Sequence, residues 1–288
     1  MKTHTGKVTS VGHKIVYGLL LTIFSLYALS LILPFVWAVL VSLKTQQEYM
    51  YNSPFALPET WKVANYVTAF QVLKVGNTGL LGMLVNSLWY AAGMTIGNVF
   101  VCSMTAYIFA RYPFKGSRQI YNVLLFVMLV PIIGAGPSQY KLFGKLQLLN
   151  SPLFVISNAG GIGTNFLFLE AFYRNVSWEY AEAAFVDGAS ATQVYFKIMF
   201  PQAIGMIATL AIMQFIGYWN DYSTPLVMFK NLPNLALGLY LYEMKMIRGA
   251  NMPVYFAGLV ISIVPVLTIF AFCQNSIMEK VALGGLKG

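Results

Sequence analysis

The chain has 288 residues, of which 58% are hydrophobic and only 9% are charged, against about 25% charged residues in a typical soluble domain. This composition excludes an ordinary soluble domain and predicts an integral membrane protein. Lys and Arg (18) outnumber Asp and Glu (9), but they are scattered between apolar runs, which argues against the basic stripe of a nucleic-acid-binding surface.

The N-terminal segment, residues 1–14, is short, polar and basic. The apolar run Ile15–Leu43 that follows is long enough to cross about 30 Å of hydrocarbon with some tilt. It exceeds the core of a signal peptide, so we expect it to remain as the first span. Lys44–Thr78 is charged and contains two prolines and Trp61, which predicts an extramembrane loop with short helices.

The second predicted span covers Gly79–Ala110. Gly93 and Gly97 within it form a GxxxG pattern, which lets another helix approach closely. We expect this pattern to serve packing within the chain. Cys102 here and Cys273 in the last span both lie in apolar runs, so neither a disulfide nor a metal site is indicated.

A basic turn, Arg111–Arg118, leads into a third predicted span at Gln119–Leu142, which Pro131 and Gly134 should kink. The fourth predicted span, Pro152–Tyr173, contains three glycines between residues 160 and 163. These should weaken or distort its helix at mid-membrane. Glu170 and Arg174, four residues apart, are spaced for an ion pair on one helix face.

The loop Ser177–Pro201 has the pattern of two short helices joined by a glycine turn. Ser177 is a candidate N-cap for the first helix. Gly188 can take the left-handed conformation that ends it. Ser190 and Gln193 have the spacing of a capping box for the second helix, and Pro201 fits the start of the next span.

The fifth and sixth predicted spans cover Gln202–Phe229 and Pro253–Asn275, with a polar loop between them. The sequence thus divides into residues 1–78 (tail, first span and loop), residues 79–276 (the main transmembrane domain, with the 177–201 loop) and a tail at 277–288. Six spans put both termini on the side of the 177–201 loop. The dense cluster in the 111–118 turn favours the cytoplasm for that side.

Trp219, Asn220, Asp221 and Tyr222 lie towards the far end of the fifth span. An intramembrane carboxylate is costly and is by default a candidate for function. Aromatic rings beside amide and carboxylate groups also suit a sugar path or gate. An aromatic belt at a helix end explains the same residues structurally, and both interpretations stay open.

The 177–201 loop also contains a spaced motif: Glu182-Ala183-Ala184, then Gly188, then Ile198 and Phe200-Pro201. It resembles the EAA loop of permease subunits in binding-protein-dependent ABC importers, in which Leu-Pro is the usual ending. Within that family the chain is most similar to the maltose-permease-like second subunit of carbohydrate importers. The resemblance covers roughly residues 86–288 and includes Asn86–Leu88, Ala106–Gly116, Asp187–Ser190, Trp219–Leu226 and Gly284–Gly288.

This resemblance implies an all-α membrane protein with six transmembrane helices of the type I ABC importer fold. A cytoplasmic coupling-helix loop would lie between helices 4 and 5, and both termini would be cytoplasmic. The implied partners are a second permease subunit in a heterodimer, two ATPase subunits and an extracytoplasmic binding protein. The implied cargo is a carbohydrate of di- or oligosaccharide size, and ATP and Mg²⁺ would bind the ATPase rather than this chain.

The resemblance also assigns residue roles within the loop. Glu182, Ala183, Ala184, Asp187 and Gly188 would contact the ATPase partner. A carboxylate can pair with Arg or Lys across an interface, and the alanines leave room for close approach. Val194, Ile198 and Pro201 would anchor the loop against the chain's own spans.

Other functions remain as alternatives. The chain has no GxxxxGK[ST] phosphate loop, and no paired catalytic groups, so an enzyme is disfavoured. A gradient-driven transporter usually has several buried ionisable residues, whereas Asp221 is nearly alone here. The same ABC architecture could carry a peptide, a lipid precursor or a phosphate ester.

Overall fold

A computed structural model describes residues 11–129, 134–157, 159–245 and 249–284 of the chain. Its helices are α1 (Val11–Ser42), α2 (Gln46–Tyr51), α3 (Ala64–Val72), α4 (Leu80–Arg111), α5 (Ser117–Leu129), α6 (Gly136–Lys145), α7 (Phe154–Ser157), α8 (Thr164–Asn175), α9 (Glu179–Val186), α10 (Ala191–Val194), the π-helical turn π1 (Tyr195–Met199), α11 (Phe200–Trp219), α12 (Ser223–Met228), α13 (Leu235–Met244) and α14 (Met252–Gly284). A two-residue hairpin pairs β1 (Lys74–Val75) with β2 (Thr78–Gly79).

Four helical stretches in the described part of the chain are long and apolar enough to cross a bilayer. They are Gly12–Ser42, Leu80–Arg111, Ala191–Trp219 and Met252–Phe272. They overlap the first, second, fifth and sixth predicted spans. The predicted end of the fifth span at Phe229 is wrong, because its helix ends at Trp219 and the chain breaks before α12. The expectation of a helical membrane protein is therefore confirmed, but six uninterrupted helices are not observed.

The third and fourth predicted spans are divided into shorter helices. α5 ends at Leu129, and α6 begins at Gly136, two residues after Gly134, whose φ of +84° lies in the left-handed region. Pro131 lies outside the described residues. In the fourth span, residues 160–163 between α7 and α8 are not helical, as the run of glycines predicted.

The described residues form two compact units. In the first, residues 11–69 and 249–260, the ring of Trp37 meets that of Phe256 edge-on at 5.1 Å. Thr45 and Glu48 form a reciprocal capping box at the start of α2. The buried Asn65 amide donates to the backbone carbonyls of Ser42 and Lys44, each at 2.8 Å, so the loop after α1 is an ordered structure.

The second unit, residues 70–245 and 261–284 where described, is built around α4, against which α8, α11 and α13 pack. Gly93 and Gly97 permit the close approach of the fourth span. A methyl group on Gly93 would lie 2.8 Å from Val155 Cγ1, and one on Gly97 would lie 3.1 Å from Ala159 Cβ. The GxxxG pattern therefore serves packing within the chain, as expected.

Candidate functional site

The 177–201 loop folds as two short helices joined at Gly188, whose φ of +82° ends α9. The N–H of Ala189 donates to the Ala184 carbonyl at 2.9 Å, which is the long bond of a Schellman motif. Ser190 and Gln193 form the predicted capping box of α10. The predicted Ser177 cap is displaced by one position, because Trp178 directly precedes α9 while Ser177 Oγ accepts from the Glu179 N–H.

The residues that the motif assigns to partner contact lie on α9 and on the turn after it. Glu182, Ala183, Asp187 and Gly188 are exposed, whereas Ala184 is half-buried against the core of the second unit. Ala181, one position before Glu182, is fully buried. One side of α9 is thus fixed to the protein and the motif residues face away from it.

Apolar side chains extend this exposed side. Val186 is 87% exposed and Tyr180 is 59% exposed. Glu179, Glu182, Ala183 and Val186 follow the i, i+3, i+4, i+7 spacing of one helix face, and we call these four residues the α9 face. The motif did not point to Tyr180 or Val186, and no sequence signal distinguished them from the other apolar residues of the loop.

The base of the loop is anchored by buried residues around π1. Val194, Tyr195 and Met199 all belong to the core of the second unit. Of the three proposed anchors, Val194 is fully buried, Ile198 is half-buried and Pro201 is exposed. Pro201 instead lies in the first turn of α11, directly after π1.

A chain of buried hydroxyl groups connects π1 with two spans. Tyr195 Oη donates to Ser103 Oγ of α4 at 3.0 Å, and Ser103 Oγ lies 2.8 Å from Tyr173 Oη of α8. Each of the three residues is at most 3% exposed. We call Tyr195, Ser103 and Tyr173 the hydroxyl chain. Nothing in the sequence spacing indicated it, because its members lie 70 and 92 residues apart.

The 111–118 turn and the 177–201 loop lie at the same end of the second unit. The guanidinium of Arg111 donates to the backbone carbonyls of Arg174 and Val176 and lies over the Trp178 ring, 5.4 Å from its centroid. The predicted ion pair between Glu170 and Arg174 is present. These contacts support the placement of the basic 111–118 turn and the 177–201 loop on one side of the membrane.

Asp221 lies in a short break between α11 and α12, where donors surround its carboxylate. Oδ2 accepts from the Tyr90 hydroxyl at 2.8 Å. Oδ1 accepts from the N–H and the hydroxyl of Ser223 and from the N–H of Thr224, at 2.9 to 3.1 Å. The carboxylate thereby satisfies the first N–H groups of α12 and ties that helix to α4.

The other three residues of this stretch have different surroundings. Trp219 is buried, stacks on Phe215 and donates its indole N–H to Ser262 of α14. Asn220 is exposed, and its side-chain amide donates to the backbone carbonyl of Ile216 in α11. Tyr222 stacks on Tyr240 with ring centroids 4.2 Å apart.

Two cavities adjoin Asp221. One, of about 410 Å³, is lined by Tyr90, Gln139, Tyr218 and Thr224 together with apolar residues. The other, of about 220 Å³, is lined by Gln214, Gly217, Tyr218 and Asp221. Among the described residues there is no cluster of three or more His, Cys, Asp or Glu side chains that could hold a metal ion.

Comparison with known families places residues 102–281 in the family described as binding-protein-dependent transport system inner membrane component. The match contains the α9 face, the hydroxyl chain and Asp221. It covers more than half of the chain.

Curated relatives and a solved structure resemble the chain over most of its length. The diacetylchitobiose uptake system permease protein NgcG of Streptomyces coelicolor is 28% identical over 263 residues, 90% of this chain and 85% of that protein. The arabinooligosaccharides transport system permease protein AraQ of Halalkalibacterium halodurans is 28% identical over 273 residues, 93% of this chain and 96% of that one. A chain from the crystal structure of a bacterial ABC transporter involved in import of the acidic polysaccharide alginate superposes with a TM-score of 0.75 at 20% identity, over 92% of this chain and 98% of that one.

Proposed function

The chain belongs to the family of binding-protein-dependent transport system inner membrane components, and from this premise we propose that it is one permease subunit of an ABC importer for an oligosaccharide. A second permease subunit would complete the translocation path, and an extracytoplasmic binding protein would deliver the sugar. Two ATPase subunits would bind ATP and Mg²⁺ and drive the transport cycle.

The observation that carries this proposal is the α9 face. It combines the carboxylate of Glu182 with an 87% exposed Val186 on a helix whose opposite side is buried. An exposed apolar group beside a charged one, on a rigidly held helix, is suited to a protein interface. The matching motif supports an ATPase subunit as the partner that binds the α9 face. The α9 face would then lie on the cytoplasmic side of the membrane.

The hydroxyl chain supports a route from that interface into the bundle. π-helical turns are rare and often occur at functional positions. Here π1 joins the anchored end of the loop directly to α11, and Tyr195 within π1 is hydrogen-bonded to α4 and through it to α8. A displacement of α9 would therefore reach three spans through one buried connection.

The sugar path proposed here runs beside Asp221. The adjoining cavities present amide, hydroxyl and carboxylate groups from Gln214, Tyr218 and Asp221 alongside aromatic rings. Such groups match the hydroxyls and the apolar faces of a sugar ring. Trp219 would then support the path from behind, since its indole is buried and already bonded to Ser262. The names of two relatives refer to diacetylchitobiose and to arabinooligosaccharides, which favours an oligosaccharide over a peptide or phosphate ester.

The test is charge reversal at Glu182 in the complete importer reconstituted in lipid. Glu182→Lys should leave the permease inserted in the membrane. It should reduce sugar uptake and the amount of ATPase subunit that co-purifies with the permease. Glu59→Lys, the same charge change at an exposed position of the first unit, is the matched control and should retain both. Full uptake and ATPase retention by Glu182→Lys would reject the coupling role, and uptake that persists with a hydrolysis-deficient ATPase would favour a gradient-driven carrier.

A further inference from the structure

The loop after α1 folds back along the last turns of that helix. The indole N–H of Trp37, five residues before the last residue of α1, donates to the Pro54 carbonyl at 2.9 Å. The Ala56 N–H donates to the Ser53 carbonyl at 3.0 Å and closes a turn with Pro54 and Phe55 at its tip. We call these four residues the fold-back turn. It lies beside the body of α1 and not beyond its end.

The first residues of α14 give the depth of this turn in the bilayer. The apolar stretch Met252–Phe272 has 21 residues, which at 1.5 Å per residue matches about 30 Å of hydrocarbon. The hydrocarbon boundary therefore lies near Met252, whose N–H donates to Gln46 Oε1 at 2.9 Å. Phe256, one turn further along α14, meets the Trp37 ring edge-on at 5.1 Å. Trp37 and the fold-back turn bonded to it are thus level with the outermost turn of this span.

The chain itself supplies partners for the carbonyls of the fold-back turn. Non-helical backbone close to hydrocarbon has little water to bond and is tolerated where the protein satisfies it. Lys44 is only 2% exposed, and its ammonium donates to the carbonyls of Ser53 and Pro54, each at 3.4 Å. The Trp37 indole is a second donor to Pro54. These contacts suit a turn that lies at the edge of the hydrocarbon.

The large side chains on this turn and beside it are left uncovered by the chain. Phe55 at the tip is 82% exposed, and the flanking Tyr51 and Leu57 are 85% and 66% exposed. Apolar side chains held in the open on an ordered loop indicate contact with another surface. At the depth of the outermost turn of a span that surface is the bilayer interface, where aromatic rings are enriched.

We propose that the fold-back turn is an interfacial membrane anchor, with Phe55 inserted among the lipid head groups and with Tyr51 and Leu57 beside it. The inserted groups are uncharged, so the anchor recognises the interface and not a particular head group. It would hold the adjoining ends of α1 and α14, which Trp37 and Phe256 join, at a fixed depth. The proposal rests on span length and on contacts within the first unit, so it does not depend on the cargo or on whether α9 receives an ATPase.

The test places a photoreactive side chain at the tip of the turn. Phe55→p-benzoylphenylalanine is made in the complete importer, which is reconstituted in phosphatidylcholine bilayers with its binding protein present. Because Phe55 is 82% exposed, the chain should accept the larger ring without loss of fold. After irradiation, mass spectrometry of the chain should show phospholipid as its main crosslinked product.

Glu59→p-benzoylphenylalanine is the matched control. Glu59 is exposed in the same loop, but its neighbour Thr60 is bonded to Glu48 of α2, which follows the end of α1. The control should give about tenfold less lipid product, since burial of an aromatic side chain corresponds to a partition factor of about that size or more. Equal lipid product at both positions would show that the whole loop contacts lipid and would overturn the placement of the turn.

Two other crosslinked products at position 55 would assign the turn to a protein partner. The binding protein as the main product would identify a docking surface for it. The second permease subunit as the main product would identify an interface between subunits. Either product overturns the lipid assignment, and neither bears on the coupling role of Glu182.

Discussion

The turn at Gly188 offers a test in which backbone strain is separated from side-chain contact. Its φ is +82°, and a methyl group built there meets no atom within 4 Å. A substitution therefore costs the strain of a left-handed residue and little else. For an L-residue that cost is roughly 1–2 kcal/mol, which corresponds to a factor of about 5 to 30 in the population of the formed turn.

The strain cost should increase along the series Gly188→Asn, Gly188→Ala and Gly188→Val. Asn tolerates the left-handed region, Ala does so poorly, and a β-branched residue is an outlier there. Because the Ala189 N–H closes the turn on the Ala184 carbonyl, its hydrogen exchange should speed up about 5- to 30-fold in Gly188→Ala and further in Gly188→Val. Gly188→Asn should stay close to the parent.

Sugar uptake per ATP hydrolysed, measured on the same reconstituted variants, should fall in the same order. The melting temperature of the whole chain should change little, since the turn is exposed. The hypothesis that this turn positions α9 would be refuted if, in Gly188→Ala and Gly188→Val, the Ala189 N–H exchanged hydrogen at the parent's rate and sugar uptake also matched the parent. Equal losses in all three variants would point to a side-chain clash with a partner instead of backbone strain.

Two further predictions concern stability. Backbone N–H groups of Thr45, at 2.7 Å, and of Thr60, at 2.8 Å, bond the Glu48 carboxylate and hold its pKa below the ordinary value, although burial opposes them. The resulting stability is complete above the ordinary pKa of about 4.3 and is lost as the pH falls through the lowered pKa. The melting temperature of the parent should therefore exceed that of Glu48→Gln at pH 7, and the difference should shrink as the pH falls through the lowered pKa; a gap independent of pH would contradict this. Gly238→Ala should destabilise the chain by about 1–3 kcal/mol, because the new Cβ would lie 2.4 Å from Sδ of the buried Met83. Gly217→Ala, which meets no atom within 4 Å, is the control in thermal unfolding and should be neutral or slightly stabilising.

Local patterns predicted the elements that depend on neighbours in sequence. The ends of the first, second and sixth spans agree with the apolar runs within a few residues, since burial in hydrocarbon demands length and apolarity alone. The fifth span was predicted to continue to Phe229, whereas its helix ends at Trp219. The capping box of Ser190 and Gln193 and the left-handed Gly188 were also predictable, because each is decided within one turn of helix. The glycines of the fourth span likewise predicted its interruption at residues 160–163.

Other features depend on contacts between distant segments. The π-helical turn at Tyr195, and the burial of Val194 while Pro201 is exposed, depend on which segments pack together. The bond between Tyr90 and Asp221 joins residues 131 positions apart. No spacing rule identifies such pairs.

The amino-acid sequence by itself determined that the chain is a helical membrane protein and that its 177–201 loop carries the motif of a known family, because apolar length and short-range caps are local properties. Only the tertiary structure decided which side of α9 is free and which hydroxyls meet behind it. The physical reason is that exposure and partnership are properties of packed surfaces, and those surfaces form from residues that are far apart along the chain.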